Sequence, residues 1–228
     1  MSMPERNVVT CPNCGAKIEV TVWHTLNADV TPAAYRDLID GTLFEYACPS
    51  CEKRIHLNYP MLLHDMQHKA LVYLAQDDAS LAYGRELLDM FHEKGMPGYR
   101  YRIVRKEMEL IEKAMIFHAD MDDRVIELIK DIQRENYQNE FFNLPETYFL
   151  INPDDPGDKH FLFFGFPQKS STLPDEMYER GVFEFTAFCD DTYEGCLVVD
   201  RDWVTRFLEK NKARFGPGSD RKVSKVFS

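Results

Sequence analysis

Four cysteines in two tight pairs are the residues of this sequence best suited to chemistry. Cys11-Pro-Asn-Cys14-Gly and Cys48-Pro-Ser-Cys51-Glu repeat one pattern. A C-x-x-C turn presents two sulfurs to one ion, and two such turns complete the four-sulfur tetrahedron that zinc prefers. Iron takes the same tetrahedron. Pro12 and Pro49 fix φ in each turn and remove an amide that has no use there. Gly15 permits φ > 0, so the amides after it can turn toward the thiolates. Glu52 holds the matching place in the second turn, which must therefore carry a less favourable backbone or another shape. Lys53 and Arg54 stand ready to offset its charge. The expected metal ligands are Cys11, Cys14, Cys48 and Cys51, around one structural zinc, with iron the less favoured ion. Such a closed shell has no open position for substrate or water; it organises a fold and does not catalyse.

The 33 residues between the pairs exceed the roughly 15–20 usual for such sites. A short helix inserted in a surface connection accounts for the excess at little cost in closure entropy. Four thiolates around one divalent ion add a net −2, which takes the chain from −11 to −13.

Other residues invite chemistry less strongly. His64-Asp-Met-Gln-His68 is close to H-E-x-x-H, but that motif needs a helix and a Glu base, and this stretch reads as a solvated turn. Cys189 and Cys196 bracket Asp190–Gly195 and are expected to face each other across a hairpin as reduced thiols. Asn152–Asp158 is acidic but lacks the 12-residue calcium-loop pattern, so it reads as a turn. Phe161, Phe163, Phe164 and Phe166 suit alternating strand burial. No G-x-S-x-G, Walker A or G-x-G-x-x-G sequence occurs, so acyl transfer, nucleotide hydrolysis and dinucleotide binding lack their usual signatures. No catalytic residue and no small-molecule substrate is indicated.

The composition narrows the classes. Of the 228 residues 44 % are apolar and 29 % charged, as in globular rather than disordered chains. Lys and Arg number 27 against 38 Asp and Glu, which opposes general nucleic-acid binding. No apolar run approaches the roughly 20 residues of a membrane helix. The N-terminal MSMPERNVVT lacks an export signal, so a cytoplasmic address with reduced cysteines is expected.

The elements that must position the cysteines follow from local pattern. Lys17–Trp23 alternates like a half-buried strand, and Thr31-Pro32 opens a short helix that Gly41 ends. Leu43–Ala47 leads a strand into the second pair. Arg54–Leu63 and Ala70–Ala75 read as a hairpin around the polar 64–69 stretch. Helices are expected at 81–94, capped by Ser80, at 106–118 and at 122–135, with a strand over Tyr99–Val104. Beyond Asn136, short aromatic runs at 147–151, 160–166, 182–188 and 197–199 read as strands, and Asp200 caps a last helix. From Arg206 onward, seven basic residues meet two acidic ones, and this tail is expected to be mobile beyond Gly216. The expected fold is α+β. A zinc-ribbon-like antiparallel unit packs with three helices over residues 1–135. A small aromatic-rich sheet and a C-terminal helix with a basic tail follow over 136–228.

CPNCG, VTVWHTLN, FEYACPSC, HLNYPMLLHD, and YRYRIV followed by LIEKAMIFHADMDDRVIELIK resemble, in order and spacing, the CpXC family of bacteria. The likeness runs from about Asn7 to Gln133. It implies zinc ligation by Cys11, Cys14, Cys48 and Cys51 and brings no particular activity with it. Glu52 departs from the glycine common after such a turn, which bears on the symmetry of the two knuckles and not on ligation.

Three functions are consistent with this reading. The leading one is a non-catalytic, zinc-stabilised module that acts through a protein partner. A second is electron transfer by iron in the same cysteines, since CPNCG is similar to a rubredoxin knuckle. Against it, Glu52 would lower the potential and rubredoxins are far smaller. A third is a zinc-ribbon regulator that uses the basic C-terminal tail.

Overall fold

The structure, a computed structural model, describes residues 2–140, 146–165 and 167–215. The chain forms two compact units, Met1–Ala114 and Met115–Ser228. Both mix helices with sheets, so the fold is α+β. Among the described residues no helix is long and apolar enough to cross a membrane.

The first unit begins with strands β1 (Met3–Thr10) and β2 (Lys17–Asn27), paired antiparallel from Pro4↔Trp23 to Thr10↔Lys17. β1 presents no clear apolar alternation, because it is an edge strand exposed along most of its length. Helix α1 (Pro32–Ile39) starts with proline in its first turn, where the missing N–H costs nothing. Strands β3 (Glu45–Ala47) and β4 (Arg54–His56) form a separate two-stranded hairpin. Strands β5 (Met61–Asp65) and β6 (Ala70–Leu74) form the next, so its connection is shorter than the polar 64–69 stretch suggested. Every residue of β6 is buried, which explains an unbroken apolar run.

Helix α2 (Asp78–Glu93) is capped by Asp77 rather than by Ser80. Asp77 accepts the Ser80 N–H at 2.7 Å, and the Ser80 hydroxyl accepts the Asp77 N–H at 3.0 Å. The serine thus sits in the first turn of the helix as the reciprocal half of a capping box. Strand β7 (Arg100–Val104) pairs in parallel with β6 and completes a sheet of order β1-β2-β5-β6-β7. Helix α3 (Glu107–His118) carries the chain across Ala114 into the second unit.

In the second unit, helix α4 (Asp123–Tyr137) buries Leu128 and Ile132 in a core with Phe185, Trp203, Val204 and Phe207. The family-like sequence therefore extends to a helix that packs among C-terminal elements. Strands β8 (Glu146–Asn152), β9 (Asp155–Phe164) and β10 (Lys169–Thr172) form an antiparallel sheet of order β10-β9-β8. Phe149, Phe161 and Phe163 are fully buried in it, whereas Phe164 is nearly half exposed; Phe166 lies outside the described residues.

Residues 182–188, expected as a strand, belong to helix α5 (Asp175–Phe185) and a 3-10 turn at Thr186–Phe188. Residues 197–199 form no strand either; Leu197 ends the short helix α6 (Tyr193–Cys196). Helix α7 (Arg201–Lys210) is capped as expected, Asp200 accepting the Trp203 N–H at 2.9 Å. The one-turn helix α8 (Lys212–Phe215) follows, and the tail beyond Gly216 lies outside the described residues.

Candidate metal centre

Each cysteine pair sits in the turn of its own hairpin. Cys11 and Cys14 lie between β1 and β2, and Cys48 and Cys51 between β3 and β4. The two turns share one backbone pattern. The Gly15 N–H donates to the Cys11 carbonyl at 2.9 Å and the Cys11 N–H to the Ala16 carbonyl at 2.8 Å. In the second turn the Glu52 N–H donates to Cys48 at 2.8 Å and the Cys48 N–H to Lys53 at 2.9 Å. Gly15 has φ +76° and Glu52 has φ +59°. Glu52 has therefore kept the turn and accepted left-handed backbone, the first of its two alternatives.

Packing brings the hairpins together. Cys11 and Cys48 are buried against Ile18, Val20 and Ile55, with Val9, Tyr46 and Leu57 around them. The Tyr46 hydroxyl donates to the Thr21 carbonyl and so ties β3 to β2. Arg54 pairs with Glu45 across the second hairpin at 2.8 Å. In each pair the first cysteine is buried; in the second position Cys14 is exposed and Cys51 half-buried.

The four Sγ atoms lie within 4.8 Å of one another. Cys11–Cys51 and Cys14–Cys48 are each 3.7 Å apart, far beyond the roughly 2.05 Å of a disulfide. Sulfurs about 2.3 Å from a central ion stand about 3.8 Å apart in a regular tetrahedron. The donor set, all sulfur, and these edges fit one tetrahedral metal ion.

Proton affinity shows the same preparation. The Lys53 N–H, then the Asn13 side chain, pull the Cys51 thiol down to about 6. At Cys14 the Ala16 N–H acts in the same direction. The proton shared with Cys51, burial and the other two cysteines outweigh it and push the thiol up to about 12. Four thiols this close cannot all ionise without a cation, and a divalent ion resolves the conflict. The Ala16 amide was foreshadowed by Gly15, while the Lys53 amide and the Asn13 contact were not read from the sequence.

The comparisons accord with this geometry. A model of the CpXC protein family matches residues 9–130, more than half the chain. The chain belongs to the CpXC family. The span matched in this CpXC protein holds both cysteine pairs. Searches of curated proteins and of solved structures return no match.

The other sequence candidates are placed elsewhere. His64 lies on β5, its Nε2 3.1 Å from the Tyr99 hydroxyl, and burial holds its pKa below the ordinary value. His68 is in the following turn, Nδ1 2.8 Å from Asp65, and both side chains are more than nine-tenths buried. The two histidines share no helix, and the turn is not solvated as expected. Asp65 locks it, also accepting the His68 N–H at 2.9 Å. Cys189 and Cys196 are not joined by a hairpin. Cys196 sits on α6 and donates to the Asp190 carbonyl at 2.5 Å, and burial pushes the Cys189 thiol up to about 12. Asn152 shapes the β8–β9 turn by accepting the Asp154 N–H at 3.0 Å.

Proposed function

We propose that Cys11, Cys14, Cys48 and Cys51 hold one zinc ion as a structural centre, and that the protein acts by associating with a protein partner in the cytoplasm. The observation that carries this reading is the tetrahedral spacing of four sulfurs supplied wholly by the chain. Such a shell is coordinatively full and leaves no site for a reacting group. When bound, the ion supplies positive charge that keeps four thiolates ionised and two hairpins in register. The chain's own residues do the rest. Lys53 and Ala16 direct amides at sulfur, and Ile18, Val20 and Ile55 exclude water from the inner pair. Electron transfer by iron is disfavoured because Glu52, next to Cys51 in the chain, adds negative charge that lowers the reduction potential. A reducing compartment keeps the thiols available.

The test is isolation of the tagged full chain from its native cell, in parallel with a Cys48→Ser form. The reading expects a colourless protein that retains one partner in stoichiometric amount, the partner being lost from the serine form. A protein with the visible absorption of a thiolate-bound iron, or turnover of a small substrate without a partner, overturns it.

A further inference from the structure

The second unit contains a cleft of about 220 Å³ between α7 and the loop that leads into α6. Trp203, Arg206, Phe207 and Lys210 line one wall. Their spacing of i, i+3, i+4 and i+7 puts them on one stripe of the helix. Trp203 and Phe207 are stacked, their centroids 5.5 Å apart with 23° between planes, and both are otherwise buried. They form an apolar floor, which Phe188 extends from the loop side.

The polar groups of the cleft are unequal. Asp190 accepts the Thr192 N–H at 2.9 Å and faces Lys210 at 3.5 Å. It packs so closely on Gly195 that a Cβ there would come within 2.7 Å of its Cγ. Its charge is thus engaged, and it engages Lys210. Arg206 is exposed and makes no hydrogen bond or ion pair with any described residue. The cleft therefore joins an aromatic floor to a guanidinium that has no ion-pair partner among the described residues.

Size and charge select the ligand. The volume is below the roughly 300–1,000 Å³ of pockets for drug-sized molecules, so it admits a single ring and not a nucleotide. Among the described residues that line the cleft, Arg206 is the cation without an ion pair and balances one negative charge, whereas a phosphate dianion would carry excess charge past Asp190. A guanidinium also matches a carboxylate in a two-point hydrogen bond. We propose that this cleft binds a carboxylate carried on a single apolar ring, with the ring on Trp203 and Phe207 and the carboxylate on Arg206. A free aromatic acid and the C-terminal aromatic residue of a peptide share this chemistry. The site lies outside the family-matched residues and does not depend on the metal or on the partner reading.

The experiment titrates the full, ¹⁵N-labelled chain, as isolated, with phenylacetate and with acetyl-glycyl-phenylalanine, following its two tryptophan indole N–H resonances. At least one acid is expected to move the Trp203 resonance saturably while that of Trp23 stays in place, and the tighter of the two identifies the source. The corresponding amides, and the variant Arg206→Glu, are expected to bind about tenfold more weakly or worse. Arg206→Gln serves if the glutamate form does not fold. The proposal is overturned if neither acid gives a saturable shift, if the amides bind as well as the acids, or if the Arg206 variant binds like the parent.

Discussion

Glu52 occupies, with φ +59°, the position that Gly15 fills with φ +76° in the first knuckle. For a residue with a Cβ the left-handed region costs about 1–2 kcal/mol, and glycine returns part of any gain through its larger unfolded-state entropy. Glu52→Gly is therefore expected to stabilise the chain by up to about 1 kcal/mol. Gly15→Ala should destabilise it by about 1 kcal/mol through backbone strain alone, since a Cβ there meets nothing within 4 Å. Denaturant midpoints of the two variants check this, and a stabilising alanine at 15 would contradict the knuckle geometry. At this scale much of the site was legible in the sequence. Cysteine, proline and glycine act through local bond geometry, and their spacing states the turn. What stayed hidden was tertiary. Nothing near Tyr46 announces that its hydroxyl reaches Thr21, and nothing near Asn13 announces Cys51.

Elements were legible where burial has one period and obscure where two periods compete. The α4 stripe of Val125, Leu128, Ile129 and Ile132 is buried as its spacing requires. Val182–Phe188 alternates like a strand but is helical. Asp175 and Glu176 in its first turn are helix-start signals, and the helix buries Gly181 and Phe185 while leaving Phe183 83 % exposed. Strand β1 went unread because an edge strand exposed on both faces has no apolar period to show. The start of α2 yields a test at this scale. The Ser80 hydroxyl, then the Ser80 N–H, hold the Asp77 carboxyl below the usual range. A carboxylate with a depressed folded pKa contributes stability that is complete above its unfolded value, about 3.9. That contribution is lost as pH falls through the folded value. Asp77→Asn should therefore be less stable than the parent near neutral pH, and the gap should narrow in acid. Thermal unfolding followed from about pH 6 down to about pH 3 measures it; a gap that stays constant contradicts the cap.

For the whole molecule, the small apolar cluster behind the cysteines is the decisive feature. Cys11, Ile18, Val20, Cys48 and Ile55 are its buried members, and two of these five carry sulfurs of the metal centre. With so small a cluster and the Tyr46–Thr21 contact, an ion bound as proposed would add its binding energy to folding. The second unit has a larger core of its own, built on Phe185, Trp203 and Phe207, in which none of the four paired cysteines takes part. Loss of metal is expected to open amide exchange in β1–β4 and to leave the C-terminal core protected. The most direct measurement is elemental analysis of the purified chain joined to thermal unfolding of the same preparation, before and after chelation. The account predicts one zinc ion per chain and a marked fall in unfolding temperature once it is removed. Material with no bound metal, or an unfolding temperature that chelation leaves unchanged, would contradict it.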